Sequence, residues 1–399
     1  MSGMFKDLFL LKKLSWVMAI AVLLLISIGI CFIYSSSYVS EDQVGGRFLY
    51  KKQIVWAMVG IVCFAICAAL DYQEWGKVAW LIYGAGIFLL VAVLIVGHRT
   101  YGAKRWLDLF GIGVQPSEIA KVATVLVLAQ TLSRPAIDFE NLKSIAMLLG
   151  IVALPFLLIV IEPDYGTALI FLPTLFVMML VGGVPMRIMM SFVLIGVVAV
   201  GTVLGVLFLP EKLGASEAAQ KRIMHVVGLS EYHRDRINVF IKADVDPLGA
   251  GWNKMQSEMA VGSGGVWGKG FRNGTQNILG FLPPSVAPTD FIYSVIAEEK
   301  GFFGSVVVLL LFGVVITAGT LAGLRSRDKL GRLLCVGIVT MIFCHVFINI
   351  AMTVGLMPII GVPLPLLSYG GSFMIVTMSV LGITQSVRIR SRSTVEDFS

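Results

Sequence analysis

Two apolar runs, SIAMLLGIVALPFLLIVI (residues 144–161) and TALIFLPTLFVMMLVGG (167–183), are separated only by EPDYG (162–166). A proline and two carboxylates inside one lipid-facing helix would be expensive, because the proline removes a backbone hydrogen bond and the charges lose their water. The stretch therefore reads as two helices that meet at a tight turn, each close to the length needed to cross a bilayer. Asp164, just after Pro163, is placed to cap the helix that starts near Thr167.

Working outward, further apolar runs lie near 16–35, 54–70, 79–97, 117–133, 189–209, 302–324, 333–355 and 372–387. With the central pair they predict an all-α polytopic membrane protein of about ten transmembrane helices, one integral-membrane domain over residues 1–399. Composition agrees. The chain is 57% hydrophobic and only 14% charged, against about 25% charged in soluble domains. That excludes a water-soluble enzyme, and the apolar content excludes a disordered chain. The net charge of +7 is read as membrane anchoring, not as a nucleic-acid surface, since no basic stretch alternates with aromatics. The five cysteines all lie in apolar runs and imply neither a disulfide framework nor a zinc set. The first run, near spanning length, is expected to be an uncleaved span.

An even number of spans puts both termini on one side. Counting from a cytoplasmic N-terminus, the short inner segments hold 14 Lys and Arg (from Lys6 to Arg392) and the short outer ones hold 6 (Arg47, Lys51, Lys52, Arg99, Lys104 and Arg105). The excess predicts cytoplasmic termini. It also places residues 210–291, the large loop between spans seven and eight, on the outer side. That loop carries an amphipathic stretch (Ser216 to Val227), a charged run (231–236) and a Gly-rich passage (262–270). The helical pattern from Asp290 to Leu324 would run about 50 Å, so it is expected to stand partly in the interface or to break near Gly301 and Gly304.

Ionisable residues at membrane depth are costly and mark function. Glu118 and Lys121 open the fourth span three residues apart, hence on one helix face. They read equally as a self-satisfying ion pair or as a pair orienting a polar substrate group. Lys104 and Arg105, beside Trp106, suit an anionic headgroup at the outer interface. Asp290 is the most informative carboxylate: it is either an ordinary N-cap or a general base whose partial burial brings its pKa into a useful range. His345 reads as an interhelical hydrogen-bonding group. Two motifs fail. Ser263 and Gly270 stand where a phosphate loop needs Gly and Ser or Thr, and Asp244-Val245-Asp246 is a chance-level match to a metal-binding DxD.

Several segments, in order, resemble the SEDS family (shape, elongation, division and sporulation), most closely its elongation branch. They are Gly102-Ala103-Lys104-Arg105-Trp106, Gln115-Pro116-Ser117-Glu118-Ile119-Ala120-Lys121, Pro163-Asp164-Tyr165-Gly166-Thr167-Ala168, Gln256-Ser257 with the Gly-rich run, Gly274-Thr275-Gln276, Thr289-Asp290-Phe291-Ile292 with Glu298-Glu299, and Gly361-Val362-Pro363-Leu364-Pro365 with Ser368-Tyr369-Gly370-Gly371-Ser372. The resemblance implies ten spans, a large outer loop and a peptidoglycan glycosyltransferase that polymerises lipid II with a class B penicillin-binding protein. It maps the family's essential aspartate onto Asp290 and its supporting residues onto Glu118, Lys121, Asp164, Arg47 and Arg236, with Ser368 in the last motif. Pro284, Pro288 and Glu162 depart from the family pattern, which more often has Glu, His and Gln there.

The chemistry fits these residues. Lipid II carries an α-linked diphosphate and the product is β-linked, so one inverting displacement with one base suffices, unlike the two-carboxylate retaining mechanism. Arg47, Lys104, Arg105 or Arg236 would meet the diphosphate, with a divalent cation (Mg or Mn) left open beside them. A lipid II flippase and a non-catalytic scaffold of the cell-wall machinery are the competing readings. Against the flippase, the polar residues gather on the outer side instead of along a path through the midplane.

Overall fold

The computed structural model of the chain describes residues 13–37, 48–100, 103–109, 112–135, 137–212 and 250–391. Among the described residues, ten helices of at least 18 residues make the bundle: α1 (Trp16–Ser37), α2 (Leu49–Ala69), α3 (Tyr72–Val96), α4 (Pro116–Ser133), α5 (Leu142–Ile161), α6 (Tyr165–Gly182), α7 (Met186–Lys212), α10 (Ile292–Leu324), α11 (Lys329–Thr353) and α12 (Gly371–Ile389). In the described part of the large loop lie two shorter helices, α8 (Ala250–Ser263) and α9 (Thr275–Ile278). Nine of the ten are apolar and long enough to span a bilayer. The tenth, α4, is more polar and makes up for it by enclosure: from Pro116 to Leu132 it is buried on nearly every side, as a helix with intramembrane charges must be. The chain is thus a multi-pass membrane protein.

The amphipathic stretch, the charged run and Asp244-Val245-Asp246 fall outside the described residues, as do Arg47 and Arg236. The segment between α3 and α4, expected as loop, forms a small antiparallel meander of β1 (His98–Thr100), β2 (Ala103–Leu109) and β3 (Ile112–Val114). Its register pairs Arg99 with Lys104 and Asp108 with Gly113.

The helical hairpin around residues 162–166 forms as predicted. α5 ends at Ile161 and α6 starts at Tyr165, with Asp164 as its N-cap accepting a hydrogen bond from the Thr167 amide at 3.4 Å. Between α11 and α12, residues 354–370 leave helical structure; Leu356 at the start is exposed, but the stretch then turns into the protein, with Val362, Leu364, Leu366 and Leu367 at most 2% exposed. Gly29 in α1 lets this segment come close: a Cβ there would lie 2.8 Å from the Leu366 and Leu367 backbone.

The long helix α10 breaks at Gly301 (φ 65°, ψ −161°), one of the two places expected. The Gly-rich run supplies what the break needs. Lys269 and Gly270 amides donate to the Glu298 and Glu299 carbonyls (both 3.0 Å), while the Phe302 and Phe303 amides donate to the Gly265 and Val266 carbonyls (2.8 and 3.1 Å). The carboxylates join in. Glu298 accepts from Lys269 Nζ (2.6 Å), Thr275 Oγ1 and the Gln276 amide (both 3.0 Å), and Glu299 accepts from Ser35 Oγ (2.5 Å) and the Arg272 amide (2.9 Å). The glycines are there for close backbone approach and not for phosphate. At Gly268 (φ 80°) a Cβ would sit 2.3 Å from the Glu299 carbonyl oxygen.

Gly268→Ala should therefore unseat the loop. The left-handed backbone alone costs a non-glycine residue about 1–2 kcal/mol, and the clash adds to it. The thermal midpoint in detergent should fall, and amide exchange should rise across residues 264–276. Unchanged protection there would show that the seat does not depend on this approach.

Candidate functional site

The end of the bundle that bears the large loop gathers most of the polar residues singled out above, around the irregular segment 354–370. Asp290 sits in the turn before α10 and is half-buried. It is not the helix N-cap: that position is Phe291, which makes no side-chain cap hydrogen bond. Its backbone is clamped. Asn349 Nδ2, from α11, donates to the Asp290 carbonyl at 2.9 Å and to the Val362 carbonyl at 2.7 Å. Ser368 Oγ donates to the Thr289 carbonyl (2.6 Å) and accepts from the Leu364 amide (2.8 Å), and the Tyr369 amide donates to the Pro288 carbonyl (2.9 Å). On the carboxylate side, Gly361 (φ 76°) leaves room: a Cβ there would stand 3.2 Å from Asp290 Oδ2. Gln53 holds the far end of the segment, donating to the Ser368 carbonyl (3.3 Å) and accepting from the Gly370 amide (3.2 Å).

Behind this layer lies the ion pair of α4. Lys121 Nζ is 2.9 Å from Glu118 Oε1, and both side chains are at most 3% exposed. Lys121 also meets His345 Nε2 at 2.6 Å. An ammonium can only donate, so Nε2 accepts and the ring proton is on Nδ1. Nδ1 in turn faces the Pro363 carbonyl at 3.3 Å. Glu118, Lys121, His345, Pro363, Asn349 and Asp290 thus form one connected series from α4 to the loop-bearing end. Of the two readings of Glu118 and Lys121, the geometry supports a buried pair that positions the segment. Their enclosure keeps Lys121 away from a ligand at the surface.

The turn 162–164 forms the neighbouring wall. Asp164 accepts from Gln115 Nε2 (3.1 Å) and Ser117 Oγ (3.5 Å) in addition to its capping bond. Arg105, on β2, reaches over it. Its Nη1 is 3.9 Å from Asp164 Oδ1, Nε donates to the Glu162 carbonyl at 3.3 Å, and Nη2 donates to the Pro163 carbonyl. With its side chain 29% exposed, Arg105 serves first to hold the turn. Lys104 precedes it on the same strand. The Glu162 carboxylate is buried, and neither oxygen has a hydrogen-bond partner. Burial above all, then the Asp164 charge, pushes its pKa up to about 8, with Arg105 pulling the other way.

Sequence reasoning missed Asn349 and Gln53 and gave His345 only a generic role. The available signal was a polar side chain in an otherwise apolar span. Among the described residues no group of three His, Cys, Asp or Glu side chains comes together as a metal site would require.

A multi-pass bundle with a clamped carboxylate at its loop-bearing end defines the class of protein. The chain matches the cell cycle protein family FtsW/RodA/SpoVE over residues 15–393, and it belongs to that family. It is 34% identical to the peptidoglycan glycosyltransferase RodA of Treponema pallidum, over 94% of this chain and 97% of that one. It is 37% identical to the peptidoglycan glycosyltransferase MrdB of Escherichia coli K12, over 85% of each. Among solved structures it resembles a chain of a peptidoglycan synthase complex that coordinates polymerization and crosslinking (TM-score 0.74, 27% identity, 94% and 97% covered). It shares its fold with the rod shape determining protein RodA of Thermus thermophilus (TM-score 0.66, 24% identity, 95% and 98% covered).

Two expectations follow from this geometry. Lys121→Met leaves the Glu118 carboxylate buried without its cation and near Asp164, at a cost of about 3–5 kcal/mol. Glu118→Gln combined with Lys121→Met should recover much of that loss in a thermal double-mutant cycle, and strict additivity would contradict the pairing.

Glu162 carries the second. Below its unfolded pKa of 4.5 both states hold the proton and stability is full. As pH rises toward 8 the unfolded chain releases the proton first, so stability is lost across that window and then levels off. Glu162→Gln removes this slope. Melting curves of the two proteins should agree near pH 4.5 and diverge by up to about 1.4 kcal/mol per pH unit until about pH 8. Parallel curves would refute the buried, unpaired carboxyl.

Proposed function

We propose that this chain is a peptidoglycan glycosyltransferase that polymerises lipid II into glycan strands during cell elongation and shape maintenance, with Asp290 as general base. The observation that carries the reading is Asp290 itself: a half-buried carboxylate at the loop-bearing end, its backbone clamped through Asn349 and the Thr289–Ser368 contact. The chain's family supports the same conclusion, since relatives matched over most of its length are named peptidoglycan glycosyltransferases.

In the transfer, Asp290 takes the proton of the acceptor sugar hydroxyl as its oxygen attacks the anomeric carbon of the donor. The bond from that carbon to the diphosphate breaks, and the lipid diphosphate leaves with the electron pair. One displacement inverts the α-linked donor to a β-linked product, so a second carboxylate nucleophile is not needed. Positive charge for the departing diphosphate is supplied by one or more of Arg47, Lys104, Arg105 or Arg236. Glu118, Lys121, Asp164 and Ser368 act through the backbone and turn they hold. The polyprenyl tails lie against the apolar flank of the bundle.

The protein sits in the bacterial cytoplasmic membrane with both termini inside, a reading supported by the excess of Lys and Arg in the segments at that end. Its partner is a class B penicillin-binding protein, in keeping with the likeness to a chain of a peptidoglycan synthase complex.

The test is reconstitution of the purified chain with its partner and labelled lipid II in detergent. Asp290→Asn should lower glycan-chain formation about 10²–10⁴-fold while partner binding is retained. Undiminished chains from Asp290→Asn would overturn the base assignment. No chains from the unaltered protein beside a demonstrably active partner would overturn the enzymatic reading in favour of a scaffold.

A further inference from the structure

At the opposite end from the site, where α1 begins and α12 ends, a groove of about 470 Å³ runs between the start of α1 and the second half of α10. Val17, Leu310, Val314 and Leu321 wall it, and Val17, Leu310 and Leu321 are 42–66% exposed. Gly313 and Ala318 give it depth, and a Cβ built on Gly313 would meet nothing within 4 Å. At its mouth stand Ser15, Arg325 and Arg388. Arg325 is close enough to act electrostatically on Arg388, and neither guanidinium is paired with a described carboxylate.

Two like charges brought together without a counter-ion are unfavourable unless an anion sits between them. The guanidinium fork matches phosphate oxygens in particular. From Arg325 back to Leu310 the helix rises about 22 Å, ample for the roughly 15 Å of hydrocarbon in one leaflet. An anion-binding mouth that opens onto an apolar channel of leaflet length is complementary to a lipid and not to a soluble ion.

We propose that this groove binds an anionic glycerophospholipid of the surrounding leaflet, its phosphodiester held by Arg325 and Arg388 and one acyl chain laid along Gly313 and Ala318. The site is remote from Asp290 and independent of the glycosyltransferase reading.

The proposal is tested by native mass spectrometry of the full-length detergent-purified chain, titrated with phosphatidylglycerol, phosphatidylcholine or a polyprenyl diphosphate. Each basic group near an anionic headgroup contributes on the order of fivefold, so with two arginines phosphatidylglycerol should be retained about 25-fold over phosphatidylcholine. Arg325→Gln with Arg388→Gln should abolish that preference. Gly313→Leu, which keeps both arginines and fills the channel, should weaken retention, and unchanged melting temperatures would show that both variants fold. Equal retention of the two phospholipids would overturn the site. So would insensitivity to either variant, or tighter binding of the polyprenyl diphosphate.

Discussion

Backbone that leaves a helix inside an apolar bundle must find its hydrogen-bond partners there, because the surrounding hydrocarbon offers none. Residues 362–370 are such a stretch, and the loop-bearing end of this protein is organised around satisfying them. Asn349 serves the Val362 carbonyl, His345 faces the Pro363 carbonyl, Ser368 serves the Leu364 amide, and Gln53 serves the Ser368 carbonyl and the Gly370 amide. Two of these side chains, Asn349 and Ser368, also reach across to the turn at 288–290. Asp290 is therefore fixed by a requirement of the membrane itself: the contacts that make the unwound segment tolerable also fix the carboxylate's backbone.

The buried pair on α4 belongs to that arrangement. A charge at this depth needs a partner, and the pair answers it with contacts that link α4 through His345 to the segment. The turn 162–164 works similarly from the other side, with Asp164 capping α6 while Arg105 occupies the turn's carbonyls. Glu162 is the exception, a buried carboxylate that nothing satisfies.

Much of this was legible in the sequence because lipid imposes simple rules. Apolar runs near spanning length located the ten long helices, the Pro163-Asp164 turn divided α5 from α6, and Gly301 marked the break in α10. Charged residues in apolar runs pointed to Glu118, Lys121 and Asp164, and the order of short motifs pointed to Asp290 and Ser368. The remainder depended on distance in space. Lys121 meets His345 across 224 positions and Glu299 meets Ser35 across 264, so the partners could not be read from spacing. The β-meander escaped notice because its strands are three to seven residues long, too short for alternation to stand out. The Gly-rich run could be denied a phosphate role from sequence, but its actual task appears only where it lies against the broken helix.

That break also changes what α10 is as a mechanical object. The nine residues from Ile292 to Lys300 turn away from the membrane-spanning rod at one glycine and are tied along their far end to the Gly-rich loop by both backbone and carboxylate bonds. They act as a short rigid beam about 13 Å long, with Asp290 just beyond one end and the loop fastened at the other. Because the loop also takes the Phe302 and Phe303 amides on the spanning side of the break, it splints beam to rod, and the exposed Val266 and Trp267 sit on the splint that fixes the angle at which Asp290 is held.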